Sequence, residues 1–249
     1  MIVDLSGRAV LVTGGTKGLG RGLARAFADA GADVLVCART APEQEDLPFV
    51  AADLRDADQA GSVVDAAIER FGRLDVLVNN AGGSPPGDAA TVSTRFVEKV
   101  VALNLLAPFY VAQRANAVMQ RQPDGGSIVN IGSLSGRRPS PGAAAYGAAK
   151  AGLVNLTQTL AMEWAPKVRV NTVTVGYLQT EQTAAYYGDE AGVARVAATV
   201  PMGRLVQPAD VAAACLFLAC PAAAFLTGAD ITVDGGGEPP PFLAAARHE

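Results

Sequence analysis

The apolar run Ala9–Thr13 passes without a break into Gly14-Gly15-Thr16-Lys17-Gly18-Leu19-Gly20, and helical periodicity follows over Leu19–Ala30. A strand, a glycine loop and a helix in that order leave few architectures open. Glycines let the backbone turn tightly and approach a pyrophosphate, whose charge is favoured by the free N–H groups and dipole of a helix N-terminus. The spacing Gly14-x-x-x-Gly18-x-Gly20 differs from the GxGxxG fingerprint. A plain turn is the alternative; a strand before the loop and a helix after it favour a nucleotide phosphate.

Short apolar runs bounded by Gly and Pro alternate with helical patterns along the whole chain, which marks a doubly wound parallel sheet. Strands are expected at Ala9–Thr13, Asp33–Cys37, Phe49–Ala52, Val76–Asn79, Ser127–Ile131, Arg169–Val173 and Asp230–Val233. Their continuous Val, Ile and Leu content suits strands covered on both faces. Helices are expected at Leu19–Ala30, Ala57–Phe71, Ser93–Val118, Ala145–Glu163 and Pro208–Leu218, the third broken near Pro108 into two. The expected fold class is α/β: a Rossmann-type, seven-stranded parallel sheet with helices on both faces, one domain over residues 1–249. Arg39 to Phe49 leaves little room for a helix, and the Pro/Gly-rich tail over 237–249 is expected to run extended.

Composition removes several function classes. With 18% charged residues and a net charge of −4, the chain offers nucleic acid no basic footprint. No apolar run reads as membrane-spanning, and Met1-Ile2-Val3-Asp4-Leu5-Ser6 lacks the basic start of a signal peptide, so a cytoplasmic protein without membrane partners is expected. Cys37, Cys215 and Cys220 form no CxxC pair and read as reduced, buried thiols. The sole histidine, His248, is next to last, so a Ser-His-Asp triad or a His-rich metal site has no material, and no metal is expected.

Proton transfer must then use Tyr, Lys or a carboxylate. In Ser133-Leu134-Ser135, followed by Ala145-Tyr146-Gly147-Ala148-Ala149-Lys150, tyrosine and lysine stand one helical turn apart on one face. A free tyrosine, with a pKa of about 10, is a poor base near neutrality, and a neighbouring ammonium favours its phenolate. An ordinary surface pair has the same spacing. At the end of the second strand, Val36-Cys37-Ala38-Arg39-Thr40 offers a guanidinium and a hydroxyl but no acid. A carboxylate there would hold a ribose 2′-OH, whereas Arg39, with Lys17 and Thr40, suits a 2′-phosphate, so NADP(H) is favoured over NAD(H).

These residues resemble the short-chain dehydrogenase/reductase family over essentially the whole chain, including its 3-oxoacyl thioester reductases and related ketone reductases. The matching segments are Thr13-Gly14-x-x-x-Gly18-x-Gly20, Asp53-Leu54, Asn79-Asn80-Ala81-Gly82, Asn104, Ser133 with Tyr146-x-x-x-Lys150, and Val233-Asp234-Gly235-Gly236. The resemblance implies a cofactor site of Gly14, Thr16, Lys17, Gly18, Leu19, Gly20, Arg39, Thr40, Asp53, Leu54, Asn80, Ala81, Gly82, Tyr146, Lys150, Gly176 and Thr180. It implies Tyr146 as general acid or base, and Ser133 as hydrogen-bond partner of the substrate oxygen. Lys150 would hold the nicotinamide ribose and lower the Tyr146 pKa, while Asn104 would hold a water linked to Lys150. One departure is Val175-Gly176, where the family has Pro-Gly.

A substrate lid is expected over 177–203, with Leu178, Tyr186, Tyr187, Val193 and Val196 as an apolar cover or, equally, as helix core or subunit contact. Arg137 and Arg138 read as a solvated turn, or as partners for the phosphates of a thioester carrier. The family pairs the helices around Leu105–Met119 and Leu153–Trp164, so a homotetramer is expected, with Phe242-Leu243 tucking into a neighbour. The implied function is hydride transfer between NADP(H) and a carbonyl or secondary alcohol, with a 3-oxoacyl thioester or a cyclic, steroid-like ketone as substrate. An NAD-dependent alcohol dehydrogenase and an idle NADP(H) sensor are the alternatives.

Overall fold

Seven parallel strands form one sheet in the order β3-β2-β1-β4-β5-β6-β7, in a computed structural model that describes residues 3–42, 47–181, 183–240, 242 and 246. They are β1 Ala9–Thr13, β2 Asp33–Ala38, β3 Phe49–Ala51, β4 Val76–Asn79, β5 Gly126–Ser133, β6 Val168–Val175 and β7 Asp230–Val233. The helices are α1 Gly18–Asp29, α2 Ala57–Phe71, α3 Thr94–Val101, α4 Ala107–Met119, α5 Ala144–Trp164, α6 Thr183–Tyr187, α7 Glu190–Ala198 and α8 Pro208–Ala219.

Alternation along the strands divides the core. Val10 and Val12 face a cluster with Leu23 and Phe27 of α1 and Val211, Cys215 and Leu218 of α8, while Leu11 faces Val63 and Val64 of α2, Val111 of α4 and Leu160 of α5. The strand order reverses between β1 and β4, and in a doubly wound sheet the crevice at the carboxyl ends of such strands is where ligands bind.

Two strands outrun their apolar signal. β5 and β6 stay paired through Ser133↔Val175, two residues past the expected ends at Ile131 and Val173. Gly132, Ser133 and Thr174 carry no apolar signal, yet neighbours on both sides continue the backbone ladder. Ser133 is thereby placed on a strand end.

The expected division near Pro108 takes the form of a π turn between α3 and α4. Helical structure is continuous from Thr94 to Met119, with a π turn over Ala102–Leu106, and the Ala107 N–H donates to the Ala102 carbonyl. Pro108 lacks an N–H and crowds the carbonyl four residues earlier, and one wider turn accommodates both defects without ending the helix. This run is also long and apolar enough to cross a bilayer, contrary to the sequence reading. Its residues Val111, Ala112, Ala115 and Met119 are buried in the core instead.

The tail is not simply extended. Gly235, Gly236 and Gly237 all have positive φ and turn the chain beneath Val200, Pro201 and Met202, and the Ala246 N–H donates to the Phe242 carbonyl at 2.9 Å. Leu243 and His248, and part of the segment between Arg39 and Phe49, lie outside the described residues.

Candidate active site

A cleft of about 1240 Å³ opens at the carboxyl ends of the strands, between the glycine loop, the loops after β4 and β5, and the segment after β6. Every residue expected to hold the cofactor lines it, and so does Ser133. Two glycines show why the loop has its composition. Gly14 has φ +65°, and a Cβ there would lie 3.0 Å from the Ala81 Cα; a Cβ on Gly20 would lie 2.1 Å from the Gly14 carbonyl oxygen. No side chain fits at either position, so α1 starts close under the loop.

Thr13 and Asn80 lock this loop to the one after β4. The Thr13 hydroxyl accepts from the Asn80 and Ala81 N–H groups at 3.0 Å each, and Asn80 Nδ2 donates to the Thr13 and Gly14 carbonyls at 2.8 and 3.2 Å. Thr13 stood in the motif, yet its role as clamp becomes visible only in three dimensions. Glu181 carried no sequence signal at all. Its Oε1 accepts from the Gly18 N–H at 2.8 Å, tying the segment after β6 across the cleft to the start of α1.

At the other end of the cleft, Tyr146 and Lys150 lie on the first turns of α5, with the Lys150 ammonium 5.8 Å from the Tyr146 ring centre. Lys150 is buried, its Nζ donates to the Ile131 carbonyl of β5 at 2.7 Å, and burial lowers its pKa to about 8. Tyr146 is half-buried at its residue surface; burial of the phenol raises its pKa, opposed by a hydrogen bond with the Ser133 side chain, while Tyr186 adds to the rise. The Lys150 ammonium stands beside the ring, while burial dominates the shift of the phenol.

Asn104 sits in the π turn, fully buried, and does not line the cleft. Its Nδ2 donates to the Gly83 and Val100 carbonyls at 3.0 and 2.9 Å, and its Oδ1 accepts from the Gly83 N–H at 2.8 Å. Both amide donors are therefore committed to backbone. Gly82 bridges the two halves of the site, because a Cβ there would meet Asn104 Oδ1 at 2.8 Å and Lys150 Nζ at 3.3 Å.

The far end of the cleft is cationic. Lys17, Arg21, Arg25 and Arg39 line it with Thr40, and the sequence reading had missed Arg21 and Arg25. Helical spacing on α1 puts those two on the loop side of the helix. Asp53 also faces the cleft, with its carboxylate held by Nε and Nη2 of Arg55, an attachment that lowers its pKa to about 2.

Val175 does not leave the wall loose. It pairs with both Ser133 and Val233, the Gly176 N–H donates to the Val233 carbonyl at 3.0 Å, and Tyr177 and Gln179 bond to Val206 at 2.8 Å each. The ladder holds what proline would have stiffened. In the lid, Leu178, Tyr186 and Tyr187 line the cleft, but Val193 and Val196 of α7 do not. Arg137 pairs with Asp230, and Arg138 with Glu238. Arg137 is an exposed turn residue, as expected, and Arg138 is partly covered; both carboxylate pairs form within the chain.

The sheet is shared with solved structures of similar proteins. A family model described as Enoyl-(Acyl carrier protein) reductase matches residues 14–238. An uncharacterized oxidoreductase of Mycobacterium tuberculosis is 37% identical, covering 95% of each chain. The 2-dehydro-3-deoxy-D-gluconate 5-dehydrogenase of Escherichia coli is 34% identical, covering 94% of this chain and 96% of the relative. Among solved structures, the ligand-free aldohexose dehydrogenase of Thermoplasma acidophilum superposes with a TM-score of 0.89 at 31% identity, over 94% of this chain and 95% of that one. The chain belongs to the short-chain dehydrogenase/reductase family. It is an NAD(P)-dependent oxidoreductase acting on CH–OH groups.

Proposed function

We propose that the chain passes a hydride between NADP(H) and a ring-borne secondary alcohol or its ketone, of the sugar class, with Tyr146 as the proton donor and acceptor. The observation that carries this reading is one cleft with Ser133, Tyr146 and Lys150 at one end and Lys17, Arg21, Arg25 and Arg39 at the other. A nicotinamide supplies the hydride; the protein supplies position and protons. The glycine loop and Asn80 would cradle the diphosphate, Arg39 and Thr40 the 2′-phosphate, and Thr180 and Gly176 the nicotinamide side.

Tyr146, whose neutral phenol is favoured by burial, donates its proton to the carbonyl oxygen in reduction; in oxidation it is the phenolate that takes the hydroxyl proton. The Ser133 hydroxyl, bonded to Tyr146, steadies charge on the same oxygen. Lys150 keeps its proton through neutrality and stands ready for ribose hydroxyls. Tyr186 and Tyr187 offer flat faces to a ring, and the engagement of Arg137 and Arg138 within the chain weighs against a thioester. The sugar names of two relatives weigh the same way. Exposed Met162 and Phe225 support assembly as a homotetramer in the cytoplasm; a monomer mass by sedimentation would overturn the assembly.

Fluorescence titration with NADPH and NADH tests the cofactor. Wild type should bind NADPH about tenfold or more tightly over NADH, and Arg39→Ser should erase the difference. Equal affinities in wild type would overturn the NADP(H) assignment. Tyr146→Phe should lose turnover of an aldohexose by roughly 10²–10⁴-fold while binding NADPH as before.

A further inference from the structure

Arg138 lies two residues beyond the short 3-10 turn Leu134–Gly136 that follows Ser133. Its Nη2 donates to the Tyr177 hydroxyl at 3.0 Å and to Glu238 Oε1 at 2.6 Å. Its Nη1 donates to the Ser140 hydroxyl and the Pro139 carbonyl, both at 3.1 Å. One planar guanidinium thus fixes three separate segments: the loop after β5, the wall after β6 and the tail after β7. A guanidinium fork holds its partners in a defined geometry, which an ammonium on a flexible stem would not do.

The contacts continue toward the cleft. The Tyr177 ring meets the Tyr187 ring edge to face, with centres 5.8 Å apart and planes at 88°. Tyr187 ends α6 and lines the cleft. The helix is only five residues long, too short to hold itself. It packs against α7 and is tied to the body by the Thr183 bonds to Thr180 and the Tyr177–Tyr187 ring contact. The orientation of the Tyr187 face therefore depends on Tyr177, and Tyr177 depends on Arg138. Glu238 stands 100 positions from Arg138 in sequence, and both side chains are only about a third exposed, at 28% and 36%, so solvent screens this pair less than it would an open surface pair.

We propose that Arg138 and Glu238 are positioning residues for the substrate: Glu238 orients Arg138, Arg138 holds the Tyr177 hydroxyl, and Tyr177 sets Tyr187 as the face against which the substrate ring packs. This rests on the ring-substrate reading above. It assigns the glycine-turned tail a role in substrate selection that is separate from cofactor binding.

Tyr177→Phe, which removes one hydroxyl, and Glu238→Gln, which removes one charge, test the chain of contacts with D-galactose as substrate and NADPH titration as control. Each variant should raise KM for the sugar about tenfold, with kcat within about threefold and NADPH affinity unchanged. The double variant should be no worse than either single, because both cut the same chain. Wild-type KM in both variants, additive losses, or NADPH affinity falling in step with KM would each overturn the proposal. Hydrogen exchange over 183–198 provides a readout free of turnover: both variants should exchange faster there, and unchanged exchange overturns the positioning role. Loss of the functional reading looks different, since wild type itself would then fail to bind NADPH or to turn over any sugar.

Discussion

Burying Lys150 with a single carbonyl partner leaves its charge under-solvated, which is why its pKa falls from 10.5 to about 8. The sign of the consequence is fixed. Between those two values the unfolded chain binds more protons than the folded one, so stability rises with pH across the window from about 8 to 10.5. Lys150→Met keeps the length of the side chain and removes the titration. Relative to the variant, wild type should gain up to about 3 kcal/mol on going from pH 7.5 to pH 10.5, read from urea unfolding at several pH values. Parallel stability curves for the two proteins would refute it. The spacing of Tyr146 and Lys150 had shown that they share a helix face, and they do. It could not show that the lysine reaches down to Ile131 of β5, because helical periodicity gives a face and says nothing of the strand beneath it. The Arg39 expectation came from the chemistry of one strand end, whereas Arg21 and Arg25 needed the orientation of α1 to be known.

Elements were read well where hydrophobic periodicity dominates and poorly where polar side chains decide. The π turn at Ala102–Leu106 is the clearest case, since the proline marked a division there but not its form. What the turn achieves is to direct the Asn104 amide at Gly83, where it makes two of its three hydrogen bonds. Gly83 belongs to the loop that carries Asn80, Ala81 and Gly82 into the cleft, so a helix defect and a cofactor loop are one unit. Asn104→Ala would leave the buried Val100 carbonyl, and the N–H and carbonyl of Gly83, without these partners. It should cost about 2–3 kcal/mol in unfolding free energy and speed exchange of the Gly83 amide beyond any change in α4. Equal protection at Gly83 in wild type and variant would show that the loop holds itself. The segment after β6 divides between its two readings: Tyr186 and Tyr187 face the cleft while Val193 and Val196 do not, because two short helices joined at Gly188 turn α7 away from the opening.

At the scale of the whole molecule, chemistry and anchorage occupy opposite ends of the sheet. The cleft opens at the carboxyl ends of the strands, while the entries to β1, β4 and β5 are bound by charge. Arg8 bonds to Asp75 at 2.9 Å and to Asp124 at 3.1 Å, Arg73 bonds to Asp75 at 2.6 Å, and the Ala9 N–H donates to the same carboxylate at 2.9 Å. Strand alternation made the sheet legible from sequence, whereas Arg8, Asp75 and Asp124 carry no signal until three strand entries are set side by side. Burial alone would raise the Asp75 carboxyl; the bonds from Arg73, the Ala9 N–H and Arg8 together outweigh it and hold it below its usual value. A carboxyl with a depressed folded pKa contributes stability that is present above about pH 4 and is lost as pH falls through the folded value. Asp75→Asn should therefore lower stability by about 3 kcal/mol at neutral pH and flatten the acid limb of the stability profile. Because this cluster sits at the strand entries, NADPH affinity and substrate KM should stay within about twofold of wild type. Thermal unfolding from pH 3 to 7, alongside NADPH titration, decides it: an unchanged acid limb removes the anchoring role of Asp75, and weakened NADPH binding would mean that the two ends of the sheet are coupled.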